Sequence, residues 1–227
     1  MGDLSTFPGL QTPVSRHSGT SVPRVDAVEK VRGETRYLLD RLPEGVWYGG
    51  AVRSPVAHGR LRAVRADPAF DFSRVVVVGP ADIPGQNTLA VIERDMPCLA
   101  HDEVRYLGEP LLLVAAPDRR TLAAAVAAFE VDVEPLPALV GIDAVAGRAR
   151  TAPATLEDLY ALAITQGDAA GAMATADEVV VGEYFPPPQE HVYLEPQGLV
   201  AVPLAGGGVR IAGSLQCPYY IQPAVAL

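Results

Sequence analysis

Residues 99–145, LAHDEVRYLGEPLLLVAAPDRRTLAAAVAAFEVDVEPLPALVGIDAV, carry the clearest secondary-structure pattern in the chain. Within them, residues 111–116 form a continuous apolar run, which is typical of a strand buried on both faces. Asp118 follows this run. An aspartate in this place caps a helix, because its carboxylate accepts hydrogen bonds from the free amide groups of the first turn. The stretch therefore predicts a strand that leads directly into a helix.

The second half of the stretch predicts the body of that helix and a further strand. Leu122, Val126 and Phe129 recur at spacings of four and three residues, which places them on one face of a helix. At Val131 the period changes to two, because Val131 and Val133 alternate with acidic residues. Two strands joined by a helix of this length are most simply parallel, with a right-handed crossover.

Composition and charge exclude several classes of function. The chain has 227 residues and a formal net charge of −9. Nucleic acid and anionic membranes attract clustered Lys and Arg, whereas the arginines here are scattered between the predicted strands and indicate a solvated surface. No apolar run approaches the roughly 20 residues needed to cross a bilayer. Cys98 and Cys217 lie outside any paired-ligand motif and indicate buried or semi-buried thiols in a reducing cytosol. We therefore expect a cytoplasmic protein with no nucleic-acid or membrane partner.

The chain divides into four segments by composition. Residues 1–24 are rich in Ser, Thr, Gly and Pro without periodicity and predict a flexible arm. Residues 25–145 carry the strand and helix patterns of a mixed α/β domain. Residues 146–171 predict a linker, which has little apolar content at its start. Residues 172–227 predict the beginning of a second domain.

The second domain looks incomplete. Three predicted strands and a short final helix make it up: residues 179–185 (VVVGEYF), 191–204 (HVYLEPQGLVAVPL), 209–217 (VRIAGSLQC) and 218–227. The second and third strands are separated by Ala205 and three glycines, which indicate a hairpin turn. A sheet this small with no covering layer leaves apolar surface exposed, so we expect further polypeptide to complete it.

Several segments, in this order and spacing, resemble one enzyme family. They are residues 30–37 (KVRGETRY), 51–58 (AVRSPVAH), 80–85 (PADIPG), 104–116 (VRYLGEPLLLVAA) and 131–140 (VDVEPLPALV). Together they resemble the hammerhead-shaped α/β domain at the front of the molybdenum-cofactor subunit of the xanthine dehydrogenase and aldehyde oxidase family. The resemblance implies a mixed α/β fold: a hammerhead-like domain followed by the incomplete start of a molybdenum-cofactor-binding domain.

The resemblance singles out Gln216 as a functional residue. Read alone, a glutamine between a strand and a Pro-started helix is an ordinary capping or loop residue. In the family, however, a Ser-x-Gln in this place carries an amide that reaches an oxo ligand of molybdenum, and Ser214 and Gln216 match that motif. A neutral amide suits the task because it donates to a metal oxygen without competing as a ligand. The resemblance thus implies that Gln216 is both catalytic and cofactor-binding, and that no residue here ligates the metal.

A second polar cluster has a different interpretation. Glu190, His191 and Glu195 have the residue types of a metal or acid–base site. On a strand, however, His191 and Glu195 share one face and Glu190 lies on the other, so the three are not a ready-made triad. In the family this segment looks structural, and we expect the same role here.

The resemblance implies an enzyme activity for which this chain supplies only part of the active site. The complete enzyme would hydroxylate a carbon of a purine, N-heterocycle or aldehyde, with water as the oxygen source. The family's glycine-rich cofactor segment and its late glutamate do not occur in this sequence. We therefore expect the molybdenum–molybdopterin cofactor to be shared with a missing C-terminal part, with [2Fe–2S] clusters and FAD only in partner subunits.

Two readings of function remain open. The first is an enzyme fragment whose partners are the remainder of the molybdopterin-binding subunit, the iron–sulfur and FAD subunits and a small-molecule substrate; alone it would be inactive. The second is a non-catalytic docking or assembly module, or a truncated gene product.

Overall fold

The computed structural model describes Gly19 and residues 21–89, 94–156, 160–189 and 191–226. The predicted arm of residues 1–24 lies mostly outside these ranges. The helices are α1 Ala27–Arg32, α2 Arg119–Ala127, α3 Ile142–Thr151, α4 Ala169–Ala174 and α5 Pro218–Ala226. The strands are β1 Tyr48–Arg53, β2 Gly59–Ala66, β3 Val76–Val78, β4 Glu103–Val104, β5 Pro110–Ala116, β6 Phe129–Pro135, β7 Leu199–Pro203 and β8 Val209–Gly213. Among the helices described, none is both long and apolar enough to cross a membrane.

The chain forms two compact units. The smaller unit consists of residues up to Pro43 together with Leu194–Leu215, and the larger of Glu44–Tyr193 with Gln216–Leu227. The larger unit contains two three-stranded sheets, with strand orders β1-β5-β3 and β4-β2-β6. The mixed α/β class predicted from the sequence is confirmed.

The predicted strand–helix–strand elements form, but their parallel pairing was wrong. Strand β5 pairs antiparallel with β1 on one edge and with β3 on the other. Since both of its edges are occupied, no edge is left for β6. That strand lies in the other sheet, where it pairs antiparallel with β2. Helix α2 therefore connects two sheets rather than two neighbouring strands.

Helix α2 begins as predicted and ends earlier than predicted. The backbone amide of Thr121 donates to Asp118 Oδ1 at 2.8 Å, and this bond lowers the pKa of the Asp118 carboxyl. The helix ends at Ala127, so Phe129 is the first residue of β6 and not part of the helical face. There its ring packs edge-on against Phe72, with 5.4 Å between ring centroids. Hydrophobic spacing alone does not distinguish the last turn of a helix from the first residue of the next strand.

The core of the larger unit consists of two clusters of buried side chains, and β5 contributes to both. Buried Val52 and Val114 pack with Ala125 of α2 in one cluster, and Ala100, Val104 and Leu111 form a second. Leu113, in the middle of β5, is 47% exposed. The prediction that this strand is buried on both faces was therefore wrong: the apolar run has one covered face and one partly open face.

A buried carboxylate fixes the turn that leads into β5. The backbone amide of Arg105 donates to Glu109 Oε2 at 2.6 Å, and Glu109 is almost fully buried. The amide of Ser54 donates to the Glu109 carbonyl at 2.8 Å, and the amide of Gly108 donates to the Ser54 carbonyl at 2.9 Å. Buried polar groups need such partners, so the polar residues of this turn have structural roles.

His58 bridges two segments of the larger unit. Its Nδ1 lies 2.9 Å from the carbonyl oxygen of Pro137, and its Nε2 lies 2.9 Å from Glu103 Oε1. Both neighbours are acceptors, and only the protonated imidazole has two N–H donors for them. The Pro137 carbonyl, followed by the Glu103 carboxylate, raises the pKa of His58, while the His58 hydrogen bond lowers the pKa of Glu103.

This bridge predicts a pH-dependent stability. The stabilisation from His58 is complete below its ordinary pKa of 6.5 and is lost as pH rises through the raised pKa. The stabilisation from Glu103 is present above its ordinary pKa of 4.5 and is lost as pH falls through the lowered pKa. We expect the thermal unfolding midpoint to fall above pH 6.5 more steeply in the wild type than in His58→Gln. Equal profiles for the wild type and His58→Gln would contradict the bridge.

The smaller unit is built on a hairpin. Strands β7 and β8 pair antiparallel with Leu199 opposite Gly213 and Pro203 opposite Val209. Gly206, Gly207 and Gly208 all have positive φ, a conformation that favours glycine, so the hairpin turn predicted at this run is confirmed.

The segment between the last strand of the larger unit and the hairpin departs from the predictions. Residues 142–151 are helical (α3), although the composition of residues 146–155 indicated a linker. Residues 179–185 and 191–198 form no strand, and the strand predicted at 191–204 begins only at Leu199. A β-branched run needs a neighbouring strand for its backbone groups, and the prolines after residue 185 have no amide to donate. The final helix is confirmed as α5.

Candidate functional site

Gln216 lies at a bend of the chain between β8 and α5. It is exposed, and its side-chain amide makes no hydrogen bond to any residue that the structure describes. Pro218 opens α5 as the first helical residue, where its lack of an N–H is tolerated. Gln216 therefore lies just before a helix, and its amide donors are unpaired within the described part of the chain.

The neighbours of Gln216 are fixed through their backbone. The amide of Ser214 donates to the Gly198 carbonyl at 3.0 Å, which extends the hairpin pairing past β8. The carbonyl of Cys217 accepts from the Tyr220 amide at 3.0 Å, which closes the first turn of α5. Cys217 is exposed, so the expectation of a buried or semi-buried thiol was wrong there. The expectation is correct for Cys98, which is half-buried, and this burial raises the pKa of its thiol.

The chemistry of this segment suits a group held by hydrogen bonds. Ser214 and Gln216 are neutral, and a primary amide offers two donors without adding charge. No group of three or more His, Cys, Asp or Glu side chains that could hold a metal occurs in the described residues. The residues present therefore fit a cofactor contacted through a neutral donor.

The second predicted cluster does not assemble as a catalytic site. Glu190 lies outside the described residues. The rings of His191 and Tyr193 stack with 5.4 Å between centroids and an interplanar angle of 3°. Glu195 Oε1 accepts a hydrogen bond from the backbone amide of Leu38 at 2.7 Å, within the smaller unit. The carboxylate thus satisfies the first amide of the 3₁₀ turn Leu38–Arg41, as expected of a structural residue.

Replacing Glu195 by alanine should loosen this turn. A hydrogen bond to a charged group contributes about 1.5–3 kcal/mol when desolvated, and Glu195 is half-buried, so we expect a loss of about 1–2 kcal/mol of local stability. Hydrogen exchange of the Leu38 amide should become about 5- to 30-fold faster. Glu34→Ala, at an exposed glutamate of the same unit, is the matched control. Unchanged exchange at Leu38 in Glu195→Ala would show that the carboxylate does not fix the turn.

Two family models match successive parts of the chain. Residues 32–137 match the aldehyde oxidase and xanthine dehydrogenase a/b hammerhead domain. Residues 152–227 match the molybdopterin cofactor-binding domain. The first match covers both sheets of the larger unit, and the second contains Ser214 and Gln216.

Curated relatives and solved structures agree with these matches. The chain is 30% identical over 86% of its length to a probable xanthine dehydrogenase subunit of Bacillus subtilis, and 28% identical over 92% to the nicotinate dehydrogenase large molybdopterin subunit of Eubacterium barkeri. It spans 27% and 49% of these two proteins, respectively.

The structure of quinoline 2-oxidoreductase from Pseudomonas putida 86 has the same fold. It aligns over 92% of this chain and 28% of that chain, with a TM-score of 0.71 at 24% identity. The two domain matches follow one another in the order expected from the sequence resemblance. The chain therefore belongs to the xanthine dehydrogenase and aldehyde oxidase family of molybdenum hydroxylases, and it matches the N-terminal part of that family's molybdopterin-binding subunit.

Proposed function

We propose that this chain is the N-terminal portion of a molybdenum hydroxylase catalytic subunit. The complete enzyme converts a C–H bond of a purine, N-heterocycle or aldehyde and one water into a C–OH group, two electrons and two protons. The observation that carries the proposal is the succession of a hammerhead domain and a molybdopterin cofactor-binding domain in one chain. We place the hammerhead at residues 25–145, a linker at 146–171 and the start of the cofactor domain at 172–227.

Gln216 is the residue of this chain that we assign to the cofactor. When bound, the molybdenum–molybdopterin group supplies the two-electron oxidation of the substrate carbon. By resemblance to the family, Gln216 would donate a hydrogen bond from its amide to an oxo ligand of the bound group and so orient it. Its exposure and its unused donors in the described part of the chain support this role, because the amide is free to meet a cofactor.

The remaining parts of the active site come from other polypeptide in this proposal. The family's Gly-Gly-x-Phe-Gly-Gly-Lys segment does not occur in the 227 residues, and the chain spans only 27% and 49% of the two relatives. The remainder of the molybdopterin-binding subunit completes the cofactor domain. Iron–sulfur and FAD subunits accept the electrons.

An activity assay separates this proposal from its alternatives. The isolated chain, offered hypoxanthine, quinoline and benzaldehyde with an artificial electron acceptor, is expected to hydroxylate none of them. The same chain purified from its native cells with its partners is expected to hydroxylate at least one class. Turnover by the isolated chain would overturn the shared active site. An inactive assembly without molybdenum would favour a docking module or a truncated gene product.

A further inference from the structure

The smaller unit contains a groove with an unusual balance of charge. One wall is formed by residues 36–43, which precede the larger unit, and the other by the hairpin of β7 and β8. The groove has a volume of about 440 Å³, within the range of small-molecule sites of roughly 300–1,000 Å³. Three arginines, Arg36, Arg41 and Arg210, line it, and none of the carboxylates that the structure describes does.

The three groove arginines have no acidic partner among the described residues, as is true of most described arginines in this chain. Arg65 pairs with Asp132 at 2.9 Å, and Arg62 pairs with Glu134, both across neighbouring strands. Within the described residues, the three groove arginines form no ion pair, although the chain carries 27 acidic residues against 18 basic ones. What sets these three apart is that they converge on one groove, and three neighbouring positive charges favour an anionic ligand there.

Two carboxylates bond to backbone amides of residues that line the groove. The Asp40 carboxylate accepts from the Tyr37 amide at 2.9 Å, and Glu195 accepts from the Leu38 amide at 2.7 Å. Both act on backbone groups of the wall rather than on guanidinium groups. Sequence analysis missed the groove because its arginines lie up to 174 residues apart and converge only through the fold.

The floor of the groove is apolar. Val200 and Val202 are half-buried and lie on one face of β7, since they are two residues apart. Ala212 is paired with Val200, and Arg210 with Val202, so β8 continues the same face. The hairpin thus presents small apolar side chains next to a guanidinium group.

We propose that this groove binds a small organic anion, a carboxylate or phosphate attached to an apolar body. The guanidinium groups would bind the anionic oxygens, because their planar N–H donors match carboxylate and phosphate geometry. The apolar body would cover Val200, Val202 and Ala212. This inference stands on the smaller unit alone and does not depend on the proposed molybdenum chemistry.

Binding can be tested on the 227-residue chain with three matched probes. These are 2-naphthoate, 2-naphthyl phosphate and the neutral 2-naphthamide, each titrated while the backbone amide signals of β7 and β8 are followed by NMR. We expect either anion to bind at least about tenfold more tightly than the amide, and to weaken as salt is raised from about 50 to about 500 mM. Which anion binds more tightly identifies the preferred group.

Variants tie the binding to the groove. Arg210→Gln is expected to weaken the preferred anion about threefold to tenfold while leaving the amide probe unchanged. Arg41→Gln, on the opposite wall, should also weaken binding of the preferred anion. It replaces Arg210→Gln in the test if that variant does not fold. Arg32→Gln, at an exposed arginine of α1 outside the groove, is the control. Equal affinity for anion and amide, shifts mapping away from β7 and β8, or an equal loss in Arg32→Gln would overturn the proposal.

Discussion

Replacing Gln216 by alanine should lower turnover of the assembled enzyme by about 5- to 150-fold. The change removes one hydrogen bond from a neutral amide to the cofactor, which contributes about 1–3 kcal/mol when water is excluded. The fold should be unaffected, because the Gln216 side chain contacts no described hydrogen-bond partner and is exposed. Turnover and molybdenum per chain should be measured on the same preparation of the assembled enzyme. Activity should fall while molybdenum content changes little.

The matched control for Gln216 is in the following helix. Gln222 is an exposed glutamine of α5, and Gln222→Ala should keep wild-type turnover. Gln216→Glu adds a second test, because a carboxylate of similar size cannot donate and brings negative charge towards a metal oxygen. Wild-type turnover in both Gln216 variants would remove this residue from the cofactor site.

Replacing Gly59 by alanine should destabilise the larger unit by about 1–3 kcal/mol, the usual cost of overpacking. Gly59 opens β2 and is paired with Val104 on one side and Pro135 on the other. A Cβ there would clash with the Val133 side chain and lie 2.8 Å from the Glu134 carbonyl oxygen. Backbone cannot move aside as a flexible side chain does, so the two strands must separate locally. The thermal unfolding midpoint should fall by about 2–12 °C.

Gly49 is the matched control for Gly59. It also lies in a strand, β1, but a Cβ there has no atom within 4 Å among the described residues. Gly49→Ala should therefore change the free energy of unfolding by no more than about 0.5 kcal/mol. Equal midpoints for the two variants would contradict the close approach of β2 and β6 at Gly59.

Local signals predicted the elements of the hammerhead domain. The apolar run before Asp118, the aspartate cap itself and the alternation of Val131 and Val133 each act within a few residues. Each gave the predicted element, although the strand of the apolar run is not buried on both faces. Which strands are neighbours depends on contacts between distant residues. Strand β5 pairs with strands that begin at Tyr48 and Val76, which lie far from it in sequence. The sequence of the helix between β5 and β6 does not indicate which strands pair with β5.

Around the candidate site, too, features set by local sequence were predicted correctly, whereas features that depend on distant contacts were not. The hairpin at Gly206–Gly208 and the Pro-started helix were predicted, because glycine and proline act on their own backbone. The strand predicted at residues 179–185 did not form, and the one predicted at 191–204 begins only at Leu199, since a strand is stable only with a partner. Gln216 was found through its resemblance to a family motif, whereas its exposed position needed the structure.

Molybdenum content tests the central claim most directly. The tagged chain should be purified from its native cells, with molybdenum determined per chain and the co-purifying proteins identified by mass. We predict near-stoichiometric molybdenum together with a partner polypeptide that carries the glycine-rich cofactor segment. A preparation with neither metal nor such a partner would contradict the account and leave Gln216 without a cofactor to contact.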